Sequence, residues 1–242
     1  MQAKTDWKSI AAALFPEGHS ITEQDCFLSG YGKFEGQQIG VIGTTEHTPI
    51  GVEIALAQAQ AILRIVRDHP AMPILMLIDT QGQRLRHRDE MLGINSYMAH
   101  LGKCVDLARR QGHRIIGLVY DQALSGGFIT SGLMADACYA LPDATIRVMG
   151  LPAMARITKV PEERLLELAQ SNPVFAPGPE NYQRMGGLGA IWQGNLAAHL
   201  RAALAQPLAG DIRSGLGLER GGRRYAQPVI NAVLHGDAVQ IS

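Results

Sequence analysis

A short serine and glycine segment is the first part of this sequence that could carry out chemistry. The segment YDQALSGGFITSG, Tyr120–Gly132, follows the apolar run RIIGLV and places Ser125, Gly126 and Gly127 just before a helix-like stretch. A serine at such a turn can be a nucleophile, whereas glycines at a helix start can offer backbone N–H groups to a negatively charged ligand. These two interpretations lead to different enzymes.

Ser125 lacks the sequence context of a typical serine nucleophile. The strained turn of α/β-hydrolases has the pattern G-x-S-x-G, but Ala123 stands where its first glycine would be. A serine nucleophile also needs a histidine base with an orienting acid, and His47, His87 and His113 lie beside predicted elements without forming a recognisable motif. The sequence favours a helix N-cap for Ser125, in which the hydroxyl satisfies a backbone N–H group.

Gly126 and Gly127 have the chemistry expected of an oxyanion hole. The first N–H groups of a helix have no acceptor within the helix, and glycine lets a ligand approach them closely. Two such N–H groups could stabilise a developing negative charge. Spacing alone leaves an equal alternative, in which the glycine pair only allows the helix to pack tightly against a sheet.

A second polar loop has the same position relative to its strand. The segment LIDTQGQRL runs from an apolar strand into a loop that contains Gly82, as LVYDQALSGG does further along the chain. Ligands of parallel α/β sheets gather at the carboxyl ends of strands, so we predict that the two loops form one pocket wall. Asp79 and Asp121 end the two strands. Either could be a general acid or base, or could cap a loop or helix.

The longer elements around these loops have the pattern of an α/β protein. The apolar runs Pro73–Asp79 and Arg114–Tyr120 predict buried parallel strands. Apolar residues at spacings of three or four predict one long helix from Arg88 to about Gln111. Thr48 and Pro49 have the residue types expected at the N-cap and first position of the preceding helix.

Shorter signals complete this pattern. Asp6 can cap a helix that ends near Phe15, and Glu35-Gly36 predicts a hairpin turn. Two short strands are predicted on either side of Pro142-Asp143, and after Gly150 the chain becomes helical. The sequence therefore predicts an α/β fold with an appended helical C-terminal third.

Composition excludes several classes of protein. With 242 residues, 46% of them hydrophobic, and a formal net charge of zero, the chain can bury a full core but lacks a broadly basic surface. No apolar run approaches the ~20 residues that span a bilayer. Cys26, Cys104 and Cys138 are spaced like reduced thiols, and no His, Cys or carboxylate spacing indicates a metal. We predict a cytoplasmic protein with no nucleic-acid or membrane partner and no metal site.

Two motifs resemble the carboxyltransferase branch of the crotonase superfamily. The segment IDTQGQ is similar to the loop D-T-P-G-A of that branch, with Gln81 where proline is usual, and SGGF is similar to S-G-G-A. The resemblance implies a crotonase-like spiral of ββα units, in which both loops hold a thioester or carboxyl oxygen. It assigns N–H donation to Gly126 and Gly127 and substrate binding to Ser125, Gly82, Gln81 and Thr80.

The downstream sequence resembles one family within that branch. The segments Met149–Trp192, with NPVFAPG and GGLGAIW, and LERGGRRYAQPV are similar to the gamma subunit of biotin-independent malonate decarboxylase. The resemblance implies one domain over residues 1–242, with an α/β core over about 1–150 and a mainly helical extension over about 151–242. The nearest approach to a biotin-attachment motif, PAMARI, has no lysine, which agrees with a biotin-independent system.

This resemblance also implies an activity and partners. Together with a beta subunit, the chain would decarboxylate a malonyl thioester carried on an acyl-carrier subunit, giving the acetyl thioester and CO2. The carrier would bear a phosphoribosyl-dephospho-CoA prosthetic group, and an acyl-carrier transferase subunit would exchange acetyl for malonate. This chain itself would bind no cofactor.

Two other functions remain compatible with the sequence. The chain could be a non-catalytic scaffold subunit of the same complex, in which case loss of the Gly127 N–H would spare turnover. It could also be a stand-alone crotonase-like hydrolase or hydratase acting on acyl-CoA thioesters. That activity would need no partner and would depend on a carboxylate such as Asp79 or Asp121.

Overall fold

A central sheet organises the protein. The computed structural model describes residues 6–171, 178–207, 210–222 and 226–236. Within these ranges the sheet has seven strands, with β1 to β6 side by side in chain order and β7 beside the far end of β5. The strands are β1 (Thr22–Gln24), β2 (Phe27–Phe34), β3 (Gln37–Thr44), β4 (Ile74–Thr80), β5 (Ile115–Leu124), β6 (Ala137–Ala140) and β7 (Thr145–Arg147).

Helices surround this sheet and form most of the later chain. They are α1 (Trp7–Leu14), α2 (Val52–Asp68), α3 (His87–Met91), α4 (Ile94–Arg110), α5 (Ser125–Phe128), α6 (Leu151–Thr158), α7 (Glu162–Ser171), α8 (Pro179–Arg184), α9 (Leu196–Ala205), α10 (Arg213–Glu219) and α11 (Ala226–His235). A π-helical turn, Ile129–Leu133, continues α5. Beyond β7 the described elements are all helices, which confirms the predicted helical C-terminal region. Residues 172–177, most of the NPVFAPG motif, lie outside the described ranges.

The strands run parallel where helices connect them. The hairpin of β2 and β3 turns at Glu35 and Gly36, both with positive φ, as the sequence predicts. From β3 to β6 neighbouring strands are parallel, and α2 and α4 provide the crossovers between β3, β4 and β5. The carboxyl ends of β3, β4 and β5 therefore lie at one edge of the sheet.

Both faces of the sheet are buried, which explains the continuous apolar runs. Met76 and Ile78 of β4 pack on the face covered by α2 and α4. Leu75 and Leu77 point to the opposite face, which α1 and α9 cover. A strand buried on both sides needs apolar residues at consecutive positions, so it shows no alternation with polar residues.

Two predicted helix boundaries are wrong. Thr48 and Pro49 do not begin α2: Gly51 is its N-cap residue, and the N–H of Val52 donates to the buried carboxylate of Asp89 at 3.1 Å. The hydrogen bond that caps α2 therefore comes from a residue far away in the sequence. The residues around Thr48 cannot indicate such a contact. The long helix predicted from Arg88 is interrupted at Gly93, whose φ of 75° is left-handed and separates α3 from α4.

Within the described ranges, no helix is both long enough and apolar enough to cross a membrane. The extent of the domain over residues 1–242 stays a prediction.

The tight pairing of β3 with β4 makes Gly43 a test of this fold. A Cβ atom at Gly43 would lie 2.4 Å from the carbonyl oxygen of Leu77, a backbone atom that cannot move freely. We expect Gly43→Ala to lower the free energy of unfolding by about 1–3 kcal/mol, measured by urea denaturation. Gly215→Ala in α10 is the control, because a Cβ there meets no atom within 4 Å. It should leave stability unchanged or raise it by up to about 1 kcal/mol. Equal stability of both variants would contradict the close pairing of the two strands.

Candidate active site

The two loops identified in the sequence lie in contact at the carboxyl ends of β4 and β5. A Cβ at Gly82 would lie 2.8 Å from the carbonyl oxygen of Leu124 and 2.8 Å from Cβ of Ser125. A Cβ at Gly127 would lie 3.1 Å from Cα of Gly82. Only glycine allows the loops to approach this closely, and Gly82 also has a left-handed φ of 96°. The predicted proximity of the two loops is confirmed.

A buried hydroxyl organises the first loop. Thr80 is fully buried; its Oγ1 donates to the carbonyl oxygen of Thr48 at 2.7 Å and accepts from the N–H of Gly82 at 3.0 Å. The carbonyl of Gly82 in turn accepts from the N–H of Ile50 at 2.8 Å. The Thr80 hydroxyl thus ties the loop after β3 to the loop after β4. Gln81, by contrast, is exposed beside them. Direct substrate contacts by Thr80 and Gln81 stay predictions.

Ser125 does not have the N-cap role that the sequence favoured. Leu124 is the N-cap residue of α5, and the Ser125 hydroxyl donates to the carbonyl oxygen of Val148 at 2.6 Å. Ser125 also has a left-handed φ of 51°, which costs an L-residue roughly 1–2 kcal/mol. Within the described ranges its hydroxyl makes no hydrogen bond to a histidine. The residue therefore shapes the strand-to-helix turn and links it to the segment after β7.

The two following glycines differ in their surroundings. A Cβ at Gly127 would lie 2.9 Å from Cγ1 of Ile50, so Gly127 is required for packing. A Cβ at Gly126 would meet only Oε1 of Gln83, at 3.8 Å, so Gly126 borders open space. Both glycines stand in the first turn of α5, where N–H groups lack acceptors within the helix. The packing explanation thus accounts for Gly127 but leaves Gly126 without a structural requirement for glycine.

Sequence reasoning missed a cluster of three ionisable side chains beside these loops. His47 follows β3, Asp79 is the residue before the end of β4, and Asp121 lies in β5. The N–H of His47 donates to Oδ2 of Asp79 at 3.0 Å. Its Nε2 lies 3.4 Å from Oδ1 of Asp79 and 3.2 Å from Oδ1 of Asp121. The signal was present, because all three residues lie near the carboxyl ends of strands that are neighbours in the sheet.

The imidazole occupies the space between the two carboxylates. The ligand atoms of the three side chains lie within 4.8 Å of one another, a spacing that could also hold a metal ion. At 3.2 and 3.4 Å, Nε2 is at ion-pair distance from both acids, without a hydrogen bond to either. The arrangement therefore brings together one imidazole and two carboxylates, which are groups that can transfer protons.

Burial dominates the electrostatics of this cluster. The side chain of Asp79 is 1% exposed, and burial raises its pKa; the N–H and the imidazole of His47 partly oppose this increase, and the charge of Asp121 adds to it. Beside it, the Tyr120 hydroxyl donates to the carbonyl oxygen of Thr44 at 2.9 Å, and burial raises the pKa of that phenol. The cluster thus places a carboxyl group whose ionisation is disfavoured beside an imidazole.

The raised pKa of Asp79 predicts an unusual pH dependence of stability. Because the folded state holds the Asp79 proton more tightly than the unfolded chain, its contribution is complete below the unfolded pKa of about 3.9. It is lost as pH rises through the higher folded value. Relative to Asp79→Asn, the wild type should therefore lose stability as pH rises above about 4, measured by thermal unfolding at a series of pH values.

Asp211 provides a control of opposite sign. Its hydrogen bonds to the Arg213 guanidinium lower its pKa to about 2, so its stabilising contribution is lost on acidification. Relative to Asp211→Asn, the wild type should gain stability as pH rises from about 2 towards about 4. A trend of the same sign for both residues would show that the cluster does not hold Asp79 as described.

Comparisons with known proteins agree with the motifs and the fold. The family model for the malonate decarboxylase gamma subunit matches residues 45–237. A relative from Malonomonas rubra, the malonyl-S-ACP:biotin-protein carboxyltransferase MADD, is 31% identical over 227 residues. That match covers 84% of this chain and 76% of the relative.

Solved structures with the same fold include subunits of related complexes. A chain of a Pseudomonas malonate decarboxylase hetero-tetramer in complex with coenzyme A is 24% identical with a TM-score of 0.78, over 94% of this chain and 98% of the other. A chain of the Pseudomonas MdcD-MdcE hetero-dimer gives 24% identity and a TM-score of 0.74, over 94% and 97%. A chain of transcarboxylase 12S is 18% identical with a TM-score of 0.70, and the match covers 81% of this chain and 40% of the other. The crotonase-like carboxyltransferase fold is therefore confirmed, and the family match shows that this chain belongs to the malonate decarboxylase gamma subunit family.

Proposed function

We propose that this chain works with a beta subunit to remove CO2 from a malonyl thioester carried on an acyl-carrier subunit. The observation that carries the proposal is the contact between the Gly82 loop and the start of α5, at the edge where three parallel strands end. Gly126 stands beside this contact, bordering open space. It belongs to the first turn of α5, where backbone N–H groups lack acceptors within the helix. The family match supports malonate as the acid that is decarboxylated.

The chemistry needs stabilisation of negative charge rather than a nucleophile. When the bond to the carboxyl carbon breaks, CO2 leaves and the remaining electrons form an enolate whose charge moves onto the thioester oxygen. Preorganised N–H donors stabilise such a charge, and one donor is worth about 2.7–4 kcal/mol. We assign this role to the N–H groups of Gly126 and Gly127, with Ser125 and Gly82 shaping the pocket. They would contact either the departing carboxyl or the thioester oxygen.

Exposed apolar side chains support a partner subunit that covers the site. Leu85, three residues after Gly82, is 89% exposed, and Ile129, directly after α5, is 51% exposed. Val148, whose carbonyl accepts from Ser125, is 61% exposed. Apolar surface that surrounds polar loops is typical of an interface, and burying it would exclude water from the reacting carboxylate. The structural relatives form a hetero-dimer and a hetero-tetramer, which fits a beta subunit at this surface.

The remaining partners follow from the same proposal. The acyl-carrier subunit would present the malonyl group on its phosphoribosyl-dephospho-CoA arm, and a transferase subunit would exchange acetyl for malonate. The arm belongs to the carrier and would enter this site as substrate, so no cofactor resident in this chain is needed. We place the complex in the cytoplasm, where reduced cysteines such as Cys26 are stable.

One relative favours a second function. The Malonomonas rubra protein is a malonyl-S-ACP:biotin-protein carboxyltransferase. If this chain acted in the same way, the carboxyl group would pass to a biotin carrier and CO2 would not be released directly. A scaffold role and a stand-alone acyl-CoA hydrolase or hydratase are further alternatives. Each of these functions predicts a different activity for this chain alone and for its complex with a beta subunit.

CO2 release distinguishes these functions. We would measure it from a malonyl-carrier thioester with this chain alone, with a beta subunit added, and with a biotinyl protein added to both. Release by the pair without biotin is expected. Release by this chain alone would indicate a stand-alone enzyme, and dependence on the biotinyl protein would indicate carboxyl transfer.

Substitution of Gly126 tests the oxyanion hole. Gly126→Pro removes one N–H, and proline is tolerated in the first turn of a helix. We expect CO2 release by the assembled pair to fall by about 100- to 1,000-fold, the usual effect of losing one oxyanion donor. Gly127 is less suitable, because any side chain there would collide with Ile50.

Gly126→Ala is the matched control. It keeps the N–H, and its Cβ meets no atom closer than 3.8 Å, so it should retain most of the activity. Gel filtration with the beta subunit would show that both variants assemble. Full activity of an assembled Gly126→Pro complex would favour the scaffold role.

A further inference from the structure

We infer that His47 is the acid–base group of this site, held by Asp79 and Asp121, and that it delivers the proton that converts the enolate into the acetyl group. The inference rests on the proposed decarboxylation and deepens it. It starts from the three side chains that converge beyond β3, β4 and β5, beside the loops that meet at Gly82. Neither carboxylate nor imidazole has a role in oxyanion stabilisation, so their convergence needs a separate explanation.

The two ring nitrogens of His47 have different surroundings. Nε2 is buried and lies at ion-pair distance from both carboxylates without a hydrogen bond to either, although the side chain as a whole is 42% exposed. The accessible part of the side chain is therefore the part away from Nε2. Within the described ranges, Nδ1 makes no hydrogen bond. A histidine that carboxylates orient from the side of one nitrogen keeps the other nitrogen available for proton transfer.

The backbone also fixes the position of this ring. The N–H of His47 donates to Asp79, and its carbonyl accepts from the N–H of Gln81 at 3.3 Å. Asp79 therefore holds the main chain of His47 by a hydrogen bond and lies at ion-pair distance from its ring. Such rigidity favours a general acid, whose efficiency depends on correct placement of the donor.

His47 is close enough to the glycine loops to serve the same substrate. The chain from His47 to Ile50 spans at most about 10 Å. Ile50 hydrogen-bonds to Gly82 and packs against Gly127. His47 therefore lies in the same loop as the residue that contacts both glycine loops.

The proposed step balances its atoms and charges. The bond between the carboxyl carbon and the central carbon breaks, CO2 leaves, and the electron pair remains as the enolate. The Nδ1–H bond of the imidazolium then breaks, and its proton bonds to the central carbon, which gives the acetyl thioester. His47 is left neutral with its remaining proton on Nε2, and a proton from water restores the imidazolium.

Other titratable groups at this corner are less suited to the task. The Tyr120 hydroxyl is already bonded to the carbonyl of Thr44, and burial raises the pKa of this phenol. Burial and the charges of Glu23 and Glu46 raise the pKa of the Cys26 thiol. Asp79 is buried beneath the ring. His47 is the member of the cluster that combines exposure with contact to both acids.

Hydrogen exchange tests this role without requiring CO2 release. If His47 donates a proton to the enolate, it must also remove one from the acetyl thioester in the reverse direction. The assembled wild-type complex with acetyl-carrier in D2O should therefore incorporate deuterium into the acetyl methyl group, measured by mass spectrometry. We expect His47→Gln to reduce the exchange rate by about 100-fold or more, the usual contribution of a general acid or base.

Two further variants make the result specific. His100→Gln alters an exposed histidine of α4 outside the cluster and should exchange at the wild-type rate. Asp121→Asn keeps His47 but removes one of its two carboxylates, so its exchange rate should fall between those of the wild type and His47→Gln. Gel filtration with the beta subunit would establish that each variant assembles. If His47→Gln does not assemble, Asp121→Asn decides the question.

The outcomes separate this inference from the proposed function. Wild-type exchange at an assembled His47→Gln or Asp121→Asn complex, or CO2 release by a wild-type complex that exchanges no deuterium, would overturn the role of His47. Exchange that depends on His47 in a complex that releases no CO2 would support His47 while rejecting the decarboxylation.

Discussion

The buried Thr80 hydroxyl is the interaction on which the site depends. It joins the carbonyl of Thr48 to the N–H of Gly82, and so holds the ends of two neighbouring parallel strands together. A hydroxyl can do this because it donates and accepts at once, and burial makes the loss of either bond costly. With the loops tied in this way, Ile50 is placed against Gly127 of α5.

The close approach of the loops explains the residues at their contact. Gly82 and Gly127 have no room for a Cβ, and Ser125 adopts a left-handed backbone between them. The hydrogen bond from Ser125 to Val148 holds this strained turn. Strain of this kind persists when the surrounding structure enforces it, and it is concentrated at functional sites. Gly126 is the position that the packing does not constrain.

The same edge of the sheet carries two kinds of chemistry. The start of α5 offers N–H groups to negative charge, whereas His47, Asp79 and Asp121 form an acid–base cluster on the adjacent strand ends. A decarboxylation followed by protonation needs both functions within the length of one small substrate. The exposed Leu85 and Ile129 flank this edge and suit a partner subunit that keeps water out.

The sequence by itself determined the buried strands, the hairpin, the helical C-terminal region and the two glycine loops, because each depends on local patterns of apolar residues or turn-forming types. Its motifs also identified the family. The tertiary structure decided what local patterns cannot encode. The carboxylate of Asp89 caps the start of α2 although it lies far along the chain, and the carbonyl of Val148 accepts the hydrogen bond of the Ser125 hydroxyl. Gly127 packs against its neighbours, whereas Gly126 faces open space. The cluster of His47, Asp79 and Asp121 likewise depends on strand order, since residues far apart in sequence become neighbours only when parallel strands end at the same edge.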